Sequence, residues 1–265
     1  NAGGTNDDFW NENGSEFVAW QWKAGGGTTA SNSDGSTTAT VQANTTAGFS
    51  IITWTGTGSA TTLGHGLGVA PAMLIVKNRS TAVDWAVYHK DLTDAGYVLA
   101  LNNSDAEADS GTNRWNHTDP TSSVFSVGSG QQTNQNTNNM ICYAFAEKQG
   151  YSKFGKYTGN GNANGPFVYT GFKPAFIMLK RTNGGDGWFL LDAKRNPTNI
   201  STNSTIRGDE SGAEGSASKL LDMLSNGFKL RGADGAYNGG DNPYIFMAFA
   251  ENPFVTSTGI PTTAF

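Results

Sequence analysis

The sequence repeats itself. Trp54-Thr55-Gly56-Thr57-Gly58 returns 103 positions later as Tyr157-Thr158-Gly159-Asn160-Gly161. Gly68-Val69-Ala70-Pro71-Ala72-Met73-Leu74-Ile75-Val76-Lys77 returns at the same spacing as Gly171-Phe172-Lys173-Pro174-Ala175-Phe176-Ile177-Met178-Leu179-Lys180. Trp85 matches Trp188, and Val124-Phe125-Ser126-Val127 matches Gly227-Phe228-Lys229-Leu230. The closing block Ile141-Cys142-Tyr143-Ala144-Phe145-Ala146-Glu147 returns as Ile245-Phe246-Met247-Ala248-Phe249-Ala250-Glu251, at an offset of 104. Five blocks in register mean two copies of one folding unit, at 48–147 and 151–251. Phe17-Val18-Ala19-Trp20-Gln21-Trp22 is similar to the closing block, and Gly4-Thr5-Asn6 with Trp10 is similar to Gly111-Thr112-Asn113 with Trp115. Residues 1–23 therefore read as the tail of a truncated preceding copy, 24–47 as a linker and 252–265 as a C-terminal tail. Asn1 is not a natural start, so the chain reads as a fragment or a processed piece.

The repeated blocks are short, apolar and bounded by Gly, Pro or Asn, which is the signature of strands. Continuous apolar runs such as Met73 to Val76 and Ile177 to Leu179 suit strands covered on both faces. Pro71 and Pro174 stand just before those runs, where a missing N–H is tolerated. Composition agrees. The chain has 35 Gly, 30 Thr, 26 Asn and 21 Ser, and only 15% of it is charged. Gly and Asn are poor helix formers and Thr favours strands. Each copy is expected to be an antiparallel β-sandwich of the jelly-roll or concanavalin-like kind, in an all-β tandem array with long polar loops. Stacked copies of this kind are expected to give an extended shape. The one helical expectation is Ala217-Ser218-Lys219-Leu220-Leu221-Asp222-Met223-Leu224, capped by Ser216.

A net charge of −5 gives no basic footprint for nucleic acid. No apolar run approaches the roughly 20 residues of a membrane helix, so membrane insertion is not expected. One cysteine forms no internal disulfide. Cys142 lies in an apolar run and exchanges with Phe246, which marks a packed, inert thiol. His65, His89 and His117 lack the close spacing of zinc ligands. His65, inside Gly64-His65-Gly66-Leu67-Gly68, reads as a turn residue whose ring bonds the backbone. Asp105, Glu107 and Asp109 alternate as on a solvated edge strand, with calcium as the other reading. Glu147 and Glu251 end the two closing strands. Their recurrence suits a strand-end charge or a contact between copies better than a glycosidase pair. No enzyme, metal site or cofactor is expected.

Tryptophan is the remaining signal. Trp54 and Trp85 have aromatic counterparts in the second copy and read as core. Trp115 has none and sits beside polar residues. Trp115, Asn116 and His117 are therefore the expected ligand-binding group, with the ring exposed to stack on a sugar.

Thr46-Ala47-Gly48-Phe49-Ser50-Ile51, Gly64-His65-Gly66-Leu67-Gly68-Val69-Ala70-Pro71, Pro120-Thr121-Ser122-Ser123-Val124-Phe125 and Phe172-Lys173-Pro174-Ala175-Phe176 resemble repeats in large structural proteins of tailed bacteriophages, many of them marine. The resembling family is a virion domain of unassigned function, found near tail-fibre genes. The second copy departs from its His-Gly-Leu turn, with Phe167-Val168-Tyr169-Thr170-Gly171 in that place. The resemblance implies a virion location and other virion proteins as partners, and it supplies no catalytic residues. With the loop composition, it leads to the expectation of a tail-fibre or adhesin component, homo-oligomeric, contacting a host-surface glycan. The alternative is a capsid decoration or filament subunit with a purely structural role.

Overall fold

The computed structural model describes residues 14–197 and 202–252. The first copy carries β1 (Ala30–Asn32), β2 (Ala39–Asn44), β3 (Phe49–Thr55), β4 (Thr61–Gly64), β5 (Met73–Asn78), β6 (Ala86–His89), β7 (Tyr97–Ala100), β8 (Ala108–Asp109), β9 (Val124–Val127), the single-turn α1 (Gln131–Asn134) and β10 (Asn139–Phe145). The second carries β11 (Ser152–Thr158), β12 (Phe167–Tyr169), β13 (Pro174–Arg181), β14 (Phe189–Asp192), β15 (Thr202–Arg207), β16 (Gly215–Ser218), β17 (Leu221–Leu224), β18 (Gly227–Leu230), the single-turn α2 (Gly235–Asn238) and β19 (Pro243–Ala250).

Each copy is a sandwich of one large and one small antiparallel sheet. The large sheets run β1-β2-β3-β10-β5-β6-β7-β8 and β11-β19-β13-β14-β15-β16; the small ones are β4-β9 and β12-β18-β17. Strand for strand, β3-β10-β5-β6-β7-β8 recurs as β11-β19-β13-β14-β15-β16. The repeat read from the sequence is therefore a repeat of topology, and the all-β sandwich class holds.

The two-residue period of a strand explains the layering. In the first copy Ile52, Trp54, Leu74, Val76, Cys142 and Ala144 point toward the small sheet and form its core. Their neighbours Phe49, Met73, Ile75 and Phe145 point the other way. In the second copy Tyr157, Ile177, Leu179, Tyr244, Phe246 and Ala248 form the equivalent core. Phe154, Phe176, Met178, Ile245, Met247 and Phe249 meet the first copy's outer face in a third apolar core. The two large sheets thus pack back to back, and the continuous apolar runs are buried on both sides. The copies share a core here; the stacking into an extended array expected from the sequence is not what joins them.

Several expectations change. Residues 24–47 are no linker: β1 and β2 extend the first large sheet, with β2 paired along β3 from Asn44↔Phe49 to Thr40↔Thr53. The turn between β1 and β2 also covers β4. Thr37 N–H donates to the Thr62 carbonyl (3.1 Å) and Ser36 N–H to Thr62 Oγ1 (2.9 Å). The second copy has no such hairpin, and its edge strand β12 leaves Phe167 and Tyr169 exposed at 45% and 63%. The segment 217–224 is not a helix; β16 pairs with β15, and β17 hairpins with β18. Leu221 and Met223 pack in the second core, and strand pairing there overrides a weak helical preference. Residues 17–22 form no strand. Instead Trp22 packs edge-on against Phe145, Phe176 and Phe249, at the seam between the copies. Residues 1–13, with Gly4 to Asn6 and Trp10, and 253–265 lie outside the described residues.

Candidate functional site

The loop 110–123 organises the surface of the first copy. Its pivot is Trp115, which is 1% exposed and packs edge-on against Tyr88 at 5.9 Å in the first core. The expectation of an exposed ring at this position is not met. The ring is large and apolar enough to fix the loop from inside, and its Nε1 makes no hydrogen bond among the described residues. Asn116 and His117 follow at the surface with left-handed backbones, φ 51° and 48°. Asn and His are both among the non-glycine residues that adopt this conformation more readily than most. His117 Nε2 lies 3.7 Å from Asp94 Oδ1. The structure therefore separates the three expected ligand residues, one inside and two outside.

His65 closes the loop's far end. Its Nδ1 accepts from Leu67 N–H at 3.1 Å, so Nε2 carries the proton and donates to the Thr121 carbonyl at 3.2 Å. Burial lowers its pKa and keeps it neutral. Both ring nitrogens are occupied, as expected of a turn residue.

Two clefts flank the loop. One, of about 450 Å³, lies beside Val69 to Ala72, Asp119 and Pro120. Its polar groups satisfy each other: Tyr88 donates to Asp119 (2.8 Å) and Lys90 pairs with Glu147 (2.8 Å). The other, of about 150 Å³, has a floor of Ala86, Val98, Ala100, Ala106 and Ala108. Asp84, Asn103, Asp105, Arg114 and Gln132 form its rim. Arg114 is partly buried, and burial lowers the pKa of its guanidinium while Asp84 raises it. Its side chain makes no ion pair or hydrogen bond with any described residue.

The second copy shows why this cleft exists. The register Ala86↔Ala100 in β6–β7 is matched by Phe189↔Arg207 in β14–β15. There the Arg207 guanidinium stacks 4.0 Å over the Phe189 ring and fills the space. Two alanines leave it open in the first copy. The rim loop is held from the second copy. Trp188 Nε1 donates to the Ala100 carbonyl (2.8 Å), Glu107 N–H to the Thr182 carbonyl (2.7 Å), and the buried Lys180 ammonium to the Ser104 carbonyl (3.1 Å).

The remaining charged candidates act as struts. Glu147 accepts from Phe154 N–H (3.1 Å) and pairs with Lys90 (2.8 Å) and Lys153 (3.3 Å), joining the copies as its recurrence suggested. Burial pushes its pKa up, but these partners outweigh that and hold it low. Glu251 pairs with Lys173 at 2.7 Å. Glu107 accepts from Thr93, and Asp109 caps Gly111 N–H. No group of three or more His, Cys, Asp or Glu able to hold a metal occurs among the described residues. Cys142 is fully buried, and burial raises its pKa far above the ordinary thiol value.

Sequence reading missed Asn134 and Asn238, at the ends of α1 and α2. Both are fully buried. Asn134 Oδ1 accepts from Thr57 N–H (3.0 Å) and Trp54 Nε1 (3.3 Å), and its Nδ2 donates to the carbonyls of Ser59 (2.7 Å) and Gly128 (2.9 Å). Asn238 repeats the pattern with Asn160 N–H (3.0 Å) and the carbonyls of Asn162 (2.8 Å) and Gly232 (2.6 Å). The signal was present: both asparagines keep the 104-residue offset of the closing block.

Fold and site together define a paired β-sandwich module in which the first copy leaves open, beside Ala86 and Ala100, a space that the second copy fills. The chain belongs to a family described as a domain of unknown function, DUF7483, whose model matches residues 1–253. No curated protein and no solved structure matches the chain.

Proposed function

We propose that the chain is a structural module of a tailed-phage virion, of the tail-fibre or adhesin kind, contacting a host-surface glycan and assembled with other virion proteins. The observation that carries this reading is the asymmetry between the copies. They share one scaffold whose charged groups are largely used as struts, yet the space that Phe189 and Arg207 fill in the second copy stays open beside Ala86, Ala100 and Arg114 in the first. The phage-like motif Gly64 to Pro71 belongs to the same copy and pins the adjoining loop. This is a contact surface on a rigid frame, the usual division of labour between loops and scaffold. The test is retention of the purified protein on immobilised bacterial surface polysaccharides. Retention on a subset of them is expected; failure to bind any would defeat the glycan part of the reading.

A second reading is a filament or decoration subunit, favoured by the uncovered edge of the second copy. In the first copy the β1–β2 hairpin covers β3 and β4. Among the described residues no strand covers the corresponding edges β11 and β12, and Phe167 and Tyr169 stand where the first copy has Thr62 and Gly64. On this reading a second copy of the chain docks there by strand addition. Sedimentation at rising concentration should show association that Phe167→Thr with Tyr169→Thr abolishes. A monomer at all concentrations would exclude it.

A further inference from the structure

We propose that the cleft between Ala86 and Arg114 is a receptor site for one sugar residue, a neutral polyol whose hydroxyls bridge the Arg114 guanidinium and the rim carboxylates. The assignment rests on the glycan-contacting reading and gives it a place and a ligand chemistry.

Four observations lead to it. First, the space is not a packing fault of the fold. The same scaffold fills it in the second copy with Phe189 under Arg207, and the first copy has alanine at both positions. Second, Arg114 is partly desolvated, and although Asp84 partly offsets this through space, no described residue hydrogen-bonds or pairs directly with its guanidinium. A guanidinium presents five donors and no acceptor, so its complement is an oxygen-rich group. Third, the rim carries one cation, Arg114, against two carboxylates, Asp84 and Asp105, with the neutral amides of Asn103 and Gln132. A bare anion is repelled by the carboxylates and a bare cation by Arg114. A hydroxyl meets both, because it accepts from the guanidinium through its oxygen and donates to a carboxylate through its proton. A ring with neighbouring hydroxyls does this twice, while its C–H face rests on the alanine and valine floor.

Fourth, size and stiffness agree. About 150 Å³ is room for roughly five waters at about 30 Å³ each. That suits a single sugar ring and is too small to hold two side by side. The loop 101–107 on the rim is tied to the second copy through Trp188, Thr182 and Lys180. The wall is therefore formed before the ligand arrives, which reduces the ordering cost of binding.

The test uses the whole chain and a panel of neutral methyl hexosides, followed by amide chemical shifts. A dissociation constant on the order of 1 mM is expected for so small a ligand. The shifts should centre on Ala86, Ala100 and Arg114. Ala86→Phe, copying the second copy's own residue, should weaken binding at least tenfold. Arg114→Gln should do the same with an unchanged unfolding midpoint, and it decides the matter if Ala86→Phe fails to fold. Hexoside binding that both folded variants retain overturns the cleft and leaves the glycan reading standing. So does polysaccharide retention without any hexoside shift at these residues. Absence of both kinds of binding overturns cleft and reading together.

Discussion

Asn134 and Asn238 show how much one buried side chain can organise. Each amide accepts and donates inside a closed ring of loop backbone, so it holds the start and end of its copy together. Removing it strands several buried groups at once, and each unsatisfied group costs about 1–3 kcal/mol. Asn134→Ala should therefore lower stability by about 3 kcal/mol or more, seen as a fall in the urea midpoint, and Asn238→Ala should match it. His89 gives a second prediction at this scale. It is 1% exposed, accepts from Asp91 N–H through Nδ1, and through Nε2 donates across the seam to the Phe246 carbonyl at 3.2 Å. Burial pushes its pKa down to about 4, below the ordinary 6.5; Lys90 lowers it further, and the Phe246 carbonyl and Glu147 oppose the shift. The folded state therefore binds the proton less readily than the unfolded chain. Stability from this group is complete above pH 6.5 and is lost as pH falls toward 4. Glu147 shifts stability in the same direction, so the contribution must be isolated. His89→Gln should flatten the part of the stability–pH curve between about 6.5 and 4.

Elements are where glycine decides register. A Cβ on Gly56 would lie 1.9 Å from the Gln135 carbonyl oxygen, and one on Gly159 would lie 2.3 Å from that of Gly239. Both glycines follow equivalent strands, β3 and β11, and let the α1 or α2 loop come close. Backbone cannot retreat as a flexible side chain can. Gly56→Ala should cost about 2 kcal/mol or more and shift amide signals of 131–138, while Gly26→Ala, with open space around it, should change little. The paired Trp54-Thr55-Gly56 and Tyr157-Thr158-Gly159 made this element legible in the sequence. The strands and their repetition were legible for the same reason: apolar blocks kept register while loops varied. The β1–β2 hairpin was not, because Ala39-Thr40-Val41-Gln42-Ala43-Asn44 has no counterpart in the second copy to mark it. The cleft was illegible because it is made of alanines: small residues signal nothing until a partner copy shows what else fits. Trp115 misled in the opposite way. Its polar neighbours suggested exposure, whereas a two-residue left-handed turn puts them outside and the ring inside.

At the scale of the whole molecule, the seam determines how the chain unfolds. Phe249 alone has ring contacts with Trp22, Phe145, Tyr151, Phe154 and Phe176 at 5.4–6.3 Å. Some of these belong to the first copy and some to the second, so neither large sheet can lose its seam face without exposing the other's. Exposed apolar area costs roughly 25 cal/mol per Å², and a Phe-rich face is large. The two copies should therefore unfold in one transition, although each has its own core. Tryptophan fluorescence, to which both copies contribute, and far-ultraviolet dichroism should give coincident curves. Phe249→Ala should lower the common midpoint by about 3–5 kcal/mol of stability without splitting it. Met247→Asp buries a charge with no partner, which costs several kcal/mol in the seam and leaves both separate cores intact. That variant should show two transitions, one for each sandwich. A single transition in Met247→Asp would mean that coupling runs mainly through the polar ties at Glu147, Lys180 and Trp188.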